Sequence, residues 1–467
     1  MAAFSQKDEQ FRDFALNGSP LRVILSTCAP LALFQTLQSV FKVLDALMAS
    51  YISGDAVSAV AALSQITLMV TAIGSGLAVG GSIKISEAYG KGDYEEVGRL
   101  VSTVYALAIA ASLAVAGTLI PFAEPFLRLL QTPESLIQAG AGYFRIEIVT
   151  LVINFFNTVY IAIARSRGHA KQILYLNLAN LVVKLGCSAF FVYVLQSGVT
   201  MIAVATLLGQ LVILGYALLA MSRDDGAFRF SVGNIRLNLP TIGPVMHLSY
   251  PVAAEKILFN AGKVIVNAMS GVYGGLTVGA LGISNNIGGL TTSLHVGFTD
   301  GAAPMISQNR GAGKYRRTLH LYFWLVAIDV VIGVVGMAVV SQCLPWLAQV
   351  FAQSRNAFDQ EFYEMIIDIH RWEMLGYITL GINSATMALL LGYGYSKRTM
   401  VLNSARVFVF RVPVLWALQQ FTTLGAESVG ITMMVSNVCT GFASVLFAIP
   451  VLREIRNLMR EEERIQK

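Results

Sequence analysis

Charge is what this 467-residue sequence has least of: 13% of its residues are Asp, Glu, Lys or Arg, against 55% that are hydrophobic. Soluble domains carry about 25% charge, and a soluble chain of this length would form about three domains. The composition excludes that class and describes a membrane protein. Histidine and cysteine are scarce as well. The five histidines are scattered, and Cys28, Cys187, Cys343 and Cys439 lie in or at the ends of apolar segments without metal or disulfide spacing. No HExxH, paired Cys-x-x-Cys or serine elbow occurs, so neither an enzyme nor a cofactor is expected. The fragment GAGK at 311–314 lacks both the glycine five residues before Gly313 and the preceding strand that a phosphate loop needs. The net charge of +6 is spread over seven short segments, which argues against a nucleic-acid partner.

What the sequence has instead is apolar length. Runs of roughly 20 to 28 residues can each cross a hydrocarbon core of about 30 Å as a helix. They recur at about 23–50, 58–83, 97–121, 138–163, 173–195, 199–221, 244–270, 276–303, 320–345, 365–391, 399–419 and 428–452. The loop charges require an even count. With the amino terminus inside, one side of the membrane holds Lys7, Arg12, Arg22, Lys84, Lys91, Arg99, Arg165, Arg167, Lys171, Arg223, Arg229 and Arg236. Arg310, Lys314, Arg316, Arg317, Lys397, Arg398 and the basic tail from Arg453 to Lys467 join them, and the other side keeps only Arg128 and Arg355. The positive-inside rule then makes both termini cytoplasmic and the location a cytoplasmic (inner) membrane. Residues 1–22 are polar and amphipathic, and the first apolar run is too long and lacks a small-residue cleavage site, so no removable leader is expected.

Two glycine-rich stretches, ISEAYGKGDY at 85–94 and ISQNRGAGKY at 306–315, stand 221 residues apart. The same offset lays Pro30 on Pro251, Gly54 on Gly275, Gly76 on Gly297 and Gly80 on Gly301. After a five-residue insertion the offset is 226. It then matches Arg145-x-Glu147 with Arg371-x-Glu373, Asn157 with Asn383, Gly168 with Gly394, Lys171 with Lys397 and Asn177 with Asn403. The chain therefore reads as an all-α integral membrane protein of twelve helices, in two six-helix lobes that are parallel repeats about an axis along the membrane normal. Its parts are a cytoplasmic segment 1–22, an N-terminal lobe 23–222, a linker 223–243, a C-terminal lobe 244–452 and a tail 453–467. The two glycine-rich stretches are expected to be the cytoplasmic loops after the second helix of each copy, where glycine permits positive backbone angles.

Polar side chains at membrane depth are costly and mark a bundle interior or a water-filled cavity. Gln35, Gln38, Lys42 and Asp45 recur at helical spacing, as do Lys256, Asn260, Lys263 and Asn267. The repeat lays Gln35 on Lys256 and Lys42 on Lys263, so both stripes are expected to face one substrate cavity. Glu255, Asn157, Asn383 and Arg406 complete that cavity set. The fifth helix puts Asn177, Asn180 and Lys184 on one face, and the eleventh carries Asn403, Arg406 and Arg411. Beside Asp45, the Asn-Asn-Lys face would form an ion pair that proton binding can open or close; a permanent salt bridge is the alternative. Asp329, alone in VAIDVVIG, reads as a structural or lipid-edge residue.

Pro30 and Asp45, the Gly-x-Gly-x-Tyr stretches, and the RSRGHAK and GYGYSK turns, duplicated and in this order, resemble the multidrug and toxic compound extrusion (MATE) family over about residues 20–455. The two turns are similar to the family's R-x-x-G-D-T-K and G-x-G-D-T-K. The resemblance implies two six-helix lobes in a V shape and rocker-switch export in exchange for Na⁺ or H⁺. It also implies a coupling role for Asp45, which matches the family's first-helix aspartate. Where members often carry a carboxylate after the fifth-helix asparagine, this chain has Lys184. Where the sodium-coupled branch has two C-terminal acids, it has Phe259 and Leu380, with Glu255 one turn before Phe259. These departures favour H⁺ over Na⁺.

At membrane depth the bases Lys42, Arg145, Lys184, Lys256, Lys263, Arg371, Arg406 and Arg411 outnumber the acids Asp45, Glu147, Glu255, Asp329 and Glu373. A positive interior attracts acidic or zwitterionic cargo. The expectation is a monomeric, proton-coupled exporter of a small amphiphilic metabolite or drug of that charge. A flippase for an anionic lipid-linked precursor and a conventional Na⁺-coupled exporter of organic cations are the alternatives.

Overall fold

The computed structural model describes residues 5–52, 54–121, 125, 134–197, 200–224, 226–353 and 358–466, with side chains described outside 40–66, 134–141 and 465–466. Among the described residues the backbone is helical nearly throughout, and the one β-type pairing is the isolated bridge Gln353–Phe358. A short helix α1 (Gln6–Asn17) precedes α2 (Pro20–Ile52), α3 (Gly54–Lys91), α4 (Tyr94–Leu119), α5 (Glu134–Ser166), α6 (Ala170–Ala189) and α7 (Thr200–Ser222). After the linker come α8 (Leu239–Ser270), α9 (Gly275–Gly311), α10 (Tyr315–Ala352), α11 (Gln360–Glu373), α12 (Tyr377–Gly392), α13 (Ser396–Phe408), α14 (Val412–Phe421) and α15 (Glu427–Gln466).

The helix boundaries obey the sequence offsets. Adding 221 to the starts of α3 and α4, 54 and 94, gives 275 and 315, the starts of α9 and α10. Adding 226 to 134, 166 and 170 gives 360, 392 and 396, which bound α11–α12 and begin α13. Backbone angles repeat too. Gly92 and Gly313 have φ of 80° and 71°, and Gly168 and Gly394 have φ of 75° and 82°, values that only glycine adopts without strain. The copies differ at two points. Where α5 is continuous, the second copy has a 3₁₀ turn, Met374–Gly376, between α11 and α12. Where α6 is continuous, α13 stops at Phe408 and α14 restarts with Pro413 in its first turn, since proline has no N–H to continue the helix.

Ten segments among the described residues are long and apolar enough to cross a membrane. The other two expected runs, 244–270 and 276–303, lie in α8 and α9, which have the length but are more polar. Glu255, Lys256 and Lys263 interrupt α8, and Asn285, Asn286, His295 and Asp300 interrupt α9. The glycine-rich stretches differ from expectation in being mostly helix. Residues 85–91 and 306–311 are the last turns of α3 and α9, and only the few residues after them turn the chain. Leu113, Val182, Leu219, Val335 and Phe442 are each more than half exposed, a surface suited to lipid rather than water.

Contacts divide the chain into two compact units. The first comprises Met1–Gly18, Val40–Ile257 and Ser307–Gly313. In it α3, α4 and α7 pack on α5, and α6 packs on α7, around a core that includes Tyr89, Val104, Tyr105, Val159 and Phe228. The linker docks on α4, where Ser102 and Thr103 hydroxyls accept from the Ser231 and Arg236 amides at 3.1 Å each. The ends of α3 and α9 cross through the repeated glycines. A Cβ on Gly90 would collide with the Gln308 carbonyl, and one on Gly311 with the Glu87 carbonyl. Since 90 + 221 = 311 and 87 + 221 = 308, this crossing is itself pseudo-symmetric. Ser307 Oγ donates to Ile83 O at 2.8 Å and Gln308 Nε2 to Ser166 O at 2.6 Å, fixing its register.

Helix α1 is pinned to the same unit. Arg167, at the α5–α6 turn, donates to Asp8 through Nε and Nη2 at 2.9 Å each and also bonds Asp224, while its guanidinium lies 4.5 Å from the Phe228 ring centre. Burial alone would push the Asp8 carboxyl up, but the Arg167 bonds outweigh it and hold Asp8 below the ordinary carboxylate value. Those bonds likewise raise Arg167 against its own burial. His169 moves down, through burial and then the Arg167 charge.

The second unit comprises Ser19–Ser39, Leu258–Ile306 and Lys314–Lys467. Here α10 packs on α12, and α11, α12 and α13 pack on α15, around Leu281, Ile287, Ile366, Ile369, Tyr377 and Met433. Gly297 and Gly301 let α9 lie directly on Ala32 and Cys28 of α2. Asp329 is fully buried in this unit. It is not at a lipid edge.

Candidate functional site

A charged side chain inside a helical bundle needs a partner, because low-dielectric surroundings do not solvate it. Each repeat meets this need with a carboxylate on its fourth span and bases on its fifth. In the first unit the carboxylate is the half-buried Glu147 of α5. Its Oε2 has no hydrogen bond among the described residues, and the cation acting on it is Lys184 of α6. Lys184 lies against α7 because position 209 is glycine: a Cβ there would meet Asn180 O at 3.0 Å and the Lys184 Cβ at 3.2 Å.

The other candidates of this unit are dispersed. Asn177 is buried and gives its amide to Ile173 O at 2.8 Å. Asn157 is buried, and its Nδ2 donates to Gln210 Oε1 at 2.8 Å and to Gln210 O at 2.9 Å. Asn180 and Glu255 are half-buried, and Lys256 is exposed with its ammonium on Ser75 Oγ. Lys42 and Asp45 lie outside the described side chains.

The second unit sets its carboxylate against two bases. Glu373 is buried on α11; its Oε2 accepts from Ser284 Oγ at 2.5 Å. Ser284 also bonds His370 Nδ1 at 2.8 Å, and His370 Nε2 meets the Tyr377 hydroxyl at 2.9 Å, a buried chain spanning α9, α11 and α12. Opposite Glu373 electrostatically stand Arg406 and Arg411. Arg406 donates to Asn437 Oδ1 through Nε at 3.2 Å and Nη2 at 2.8 Å. Arg411, only 2% exposed, donates to Ser436 Oγ at 3.2 Å and Asn437 Oδ1 at 3.5 Å. One neutral amide oxygen thus serves two guanidinium groups. Arg406 is also 5.5 Å from the Phe259 ring centre, and the ammonium of Lys263 is 5.1 Å from that ring. The Phe259 ring is therefore a cation–π platform.

With Arg406 and Arg411 against Glu373, the cluster holds one more positive than negative group. Such a site can bind an anion, with Arg406 offering the planar fork that suits a carboxylate or phosphate. Elsewhere in this unit Gln35 Nε2 donates to Asp300 Oδ2 at 3.3 Å, Gln38 is exposed and Asn260 is half-buried. Asn383 is buried, and its Oδ1 has no hydrogen bond among the described residues. The structure thus brings Lys263 and Arg406 together on Phe259, and Asn180 and Lys184 together against Gly209.

Sequence reasoning missed Ser284, His370, Ser436 and Asn437. His370 was findable, since three residues before Glu373 puts it on the same helical face. Asn437 was not: subtracting the 226-residue offset gives Leu211, so the repeat carries no polar signal there.

Comparison with known proteins agrees with this architecture. The MatE family model matches residues 30–190 and 251–417; 30 + 221 = 251, so it matches once per repeat. Similar curated proteins include the probable multidrug resistance protein YoeA of Bacillus subtilis, 22% identical over 85% of this chain and 86% of that protein. An FAD transporter of Shewanella oneidensis is 22% identical over 89% and 91%. Among solved structures, an outward-facing multidrug resistance MATE transporter aligns with a TM-score of 0.91 over 97% of this chain and 99% of that one, at 18% identity. A MOP superfamily transporter from Pyrococcus furiosus, whose binding pocket is described as of reverse polarity, aligns at 0.89 over 97% and 99%, at 19% identity. Both share the fold, an all-α membrane architecture of twelve helices in two six-helix repeats.

Proposed function

Because the chain belongs to the MATE family, whose members export compounds across membranes as secondary transporters, we propose that it exports a small amphiphilic compound bearing an acidic or zwitterionic group in exchange for protons. The observation that carries this reading is the surplus of positive charge around Glu373, one carboxylate against both Arg406 and Arg411. An acidic group bound by Arg406, with its apolar portion on Phe259, would complete the charge balance that Glu373 leaves open. The description of a reverse-polarity pocket in the Pyrococcus furiosus fold neighbour supports the idea that this architecture accommodates such a change of sign.

Protons rather than Na⁺ are favoured because Lys184 occupies a position where a carboxylate would be needed to ligate Na⁺, and Phe259 and Leu380 replace the other two acids. In this reading Asp45 is the coupling acid, and Asn177, Asn180 and Lys184 form its surroundings. The repeats 23–222 and 244–452 alternate access between a cytoplasm that holds both termini and the opposite side of the cytoplasmic membrane.

The test is transport by the purified chain in vesicles containing a pH dye, with acidic and cationic compounds offered separately and with or without Na⁺. Proton movement that requires an acidic compound, ignores Na⁺ and is lost in Asp45→Asn is the expected result. Movement only with cationic compounds, or only with Na⁺, refutes it.

A further inference from the structure

Apart from the Glu373 cluster, the second unit buries, among the described residues, one other close pair of acid and base side chains, and no role described above uses it. His295 Nδ1 of α9 lies 2.8 Å from Asp329 Oδ1 of α10; the side chains are 4% and 0% exposed. Helix α12 closes the pair off. Position 381 is glycine, and a Cβ there would sit against the Asp329 carbonyl and 3.1 Å from the His295 ring. Ser384 Oγ donates to His295 O at 2.8 Å, and the Thr299 and Ser384 hydroxyls bond at 2.6 Å, so the helices are fastened around the pair.

Yet the outer atoms of both groups are left over: His295 Nε2 and Asp329 Oδ2 have no hydrogen-bond partner among the described residues. A buried ion pair that is only structural normally satisfies its remaining polar atoms, because each unsatisfied one is costly in a low dielectric. We propose that His295 and Asp329 form a proton-binding site of the second unit that holds one exchangeable proton. Neutral histidine beside ionised aspartate carries a net charge of −1, offset only by the hydrogen bonds that the carboxylate receives from His295 and Ser384. Taking up one proton makes the pair neutral overall, whether the proton resides on the ring or on the carboxyl.

The neighbouring titratable groups are engaged elsewhere. On α10 the Tyr322 hydroxyl meets Thr386 at 3.3 Å, and on α9 Asp300 bonds Gln35. Tyr377 of α12 and Glu373 of α11 belong to the His370–Ser284 chain. The span of α15 between Glu427 and Arg453 contributes no charged residue and one titratable one, Cys439. The protonation state of the pair is thus set locally.

Only the use of this proton in transport rests on the proton-coupled reading above. The test is pH-difference infrared spectroscopy on the full chain in lipid, without any cargo. Acidification of the wild type is expected to produce a protonated-carboxyl stretch or an imidazolium ring mode. That signal should be lost in Asp329→Asn, retained in Asp45→Asn, and displaced along the pH axis in His295→Gln. A spectrum in which no signal is removed by Asp329→Asn overturns the proposal, even if transport proves proton-driven. If Asp329→Asn does not fold, His295→Gln decides alone, and an unmoved titration overturns the site. A signal that behaves as expected while transport follows Na⁺ supports the site and removes only its coupling role.

Discussion

In the first repeat Glu147 faces one base, Lys184, on an unbroken helix; in the second Glu373 faces Arg406 and Arg411 where the equivalent helix is interrupted by Pro413. The 226-residue offset shows how little the scaffold changed to produce this. It lays Asn180 on Arg406, Lys184 on Phe410 and Leu185 on Arg411. Helix starts and positive-φ glycines stayed in register while the charges moved. Duplication therefore conserved the backbone frame and differentiated the polar interior, which is what a transporter needs if its halves perform different tasks around a common motion.

The largest effect expected from this contrast is on stability. Removing Glu373 leaves the buried Arg411 and the half-buried Arg406 without their carboxylate, and losing one partner of a buried ionic cluster costs about 3–5 kcal/mol. Thermal unfolding in detergent should show a clear drop for Glu373→Gln and a smaller one for Glu147→Gln, which is half-buried and faces a single base. Equal drops would erase the distinction between the repeats.

Next comes a place where the repeats should behave alike. Gly90→Ala and Gly311→Ala each force a Cβ onto a backbone carbonyl of the other helix, and overpacking of this kind costs about 1–3 kcal/mol. Similar losses of stability would support the pseudo-symmetric crossing; a loss confined to one variant would break it.

Arg406→Asn gives the second repeat an amide like the one its counterpart has at 180. Transport of an acidic compound should fall about tenfold, equivalent to about 1.4 kcal/mol, while unfolding shifts less than in Glu373→Gln. No change in uptake kinetics would mean that Arg406 is purely structural.

A smaller difference concerns pH, because only the first repeat has Arg167; the offset places Tyr393 in the second. Asp8 has its folded value lowered, so its contribution is complete above the unfolded value of about 4 and fades as pH falls through the lower folded value. His169 is lowered as well, so the unfolded form binds more protons once pH drops below about 6.5, and stability falls with it. Limited proteolysis should find α1 released progressively on acidification, and already released at neutral pH in Asp8→Asn. A pH-independent cleavage pattern would show that these bonds do not hold α1.

Much of this fold was legible because its signals are periodic or repeated. Apolar length marked most spans, and matched prolines and glycines marked the duplication. The runs in α8 and α9 were legible too, although these helices are more polar than the other ten spans, and α8 was legible as a polar stripe. What could not be read were partners brought together across helices. Asp329 looked isolated because His295 lies on α9, and Asn437 lacks a polar repeat mate. The glycine stretches looked like loops because glycine marks turns more often than close helix crossings; Gly90 and Gly311 serve the second purpose and Gly92 and Gly313 the first.

The central claim is that the positive surplus of the second repeat selects acidic cargo. The most direct test is to compare initial rates for one acidic compound and an isosteric cationic analogue in vesicles, for wild type and Arg406→Gln under the same proton gradient. Preference for the acidic compound in the wild type, collapsing in Arg406→Gln, is the predicted result. A wild type that prefers the cation, or a preference for the acid that survives Arg406→Gln unchanged, would contradict it.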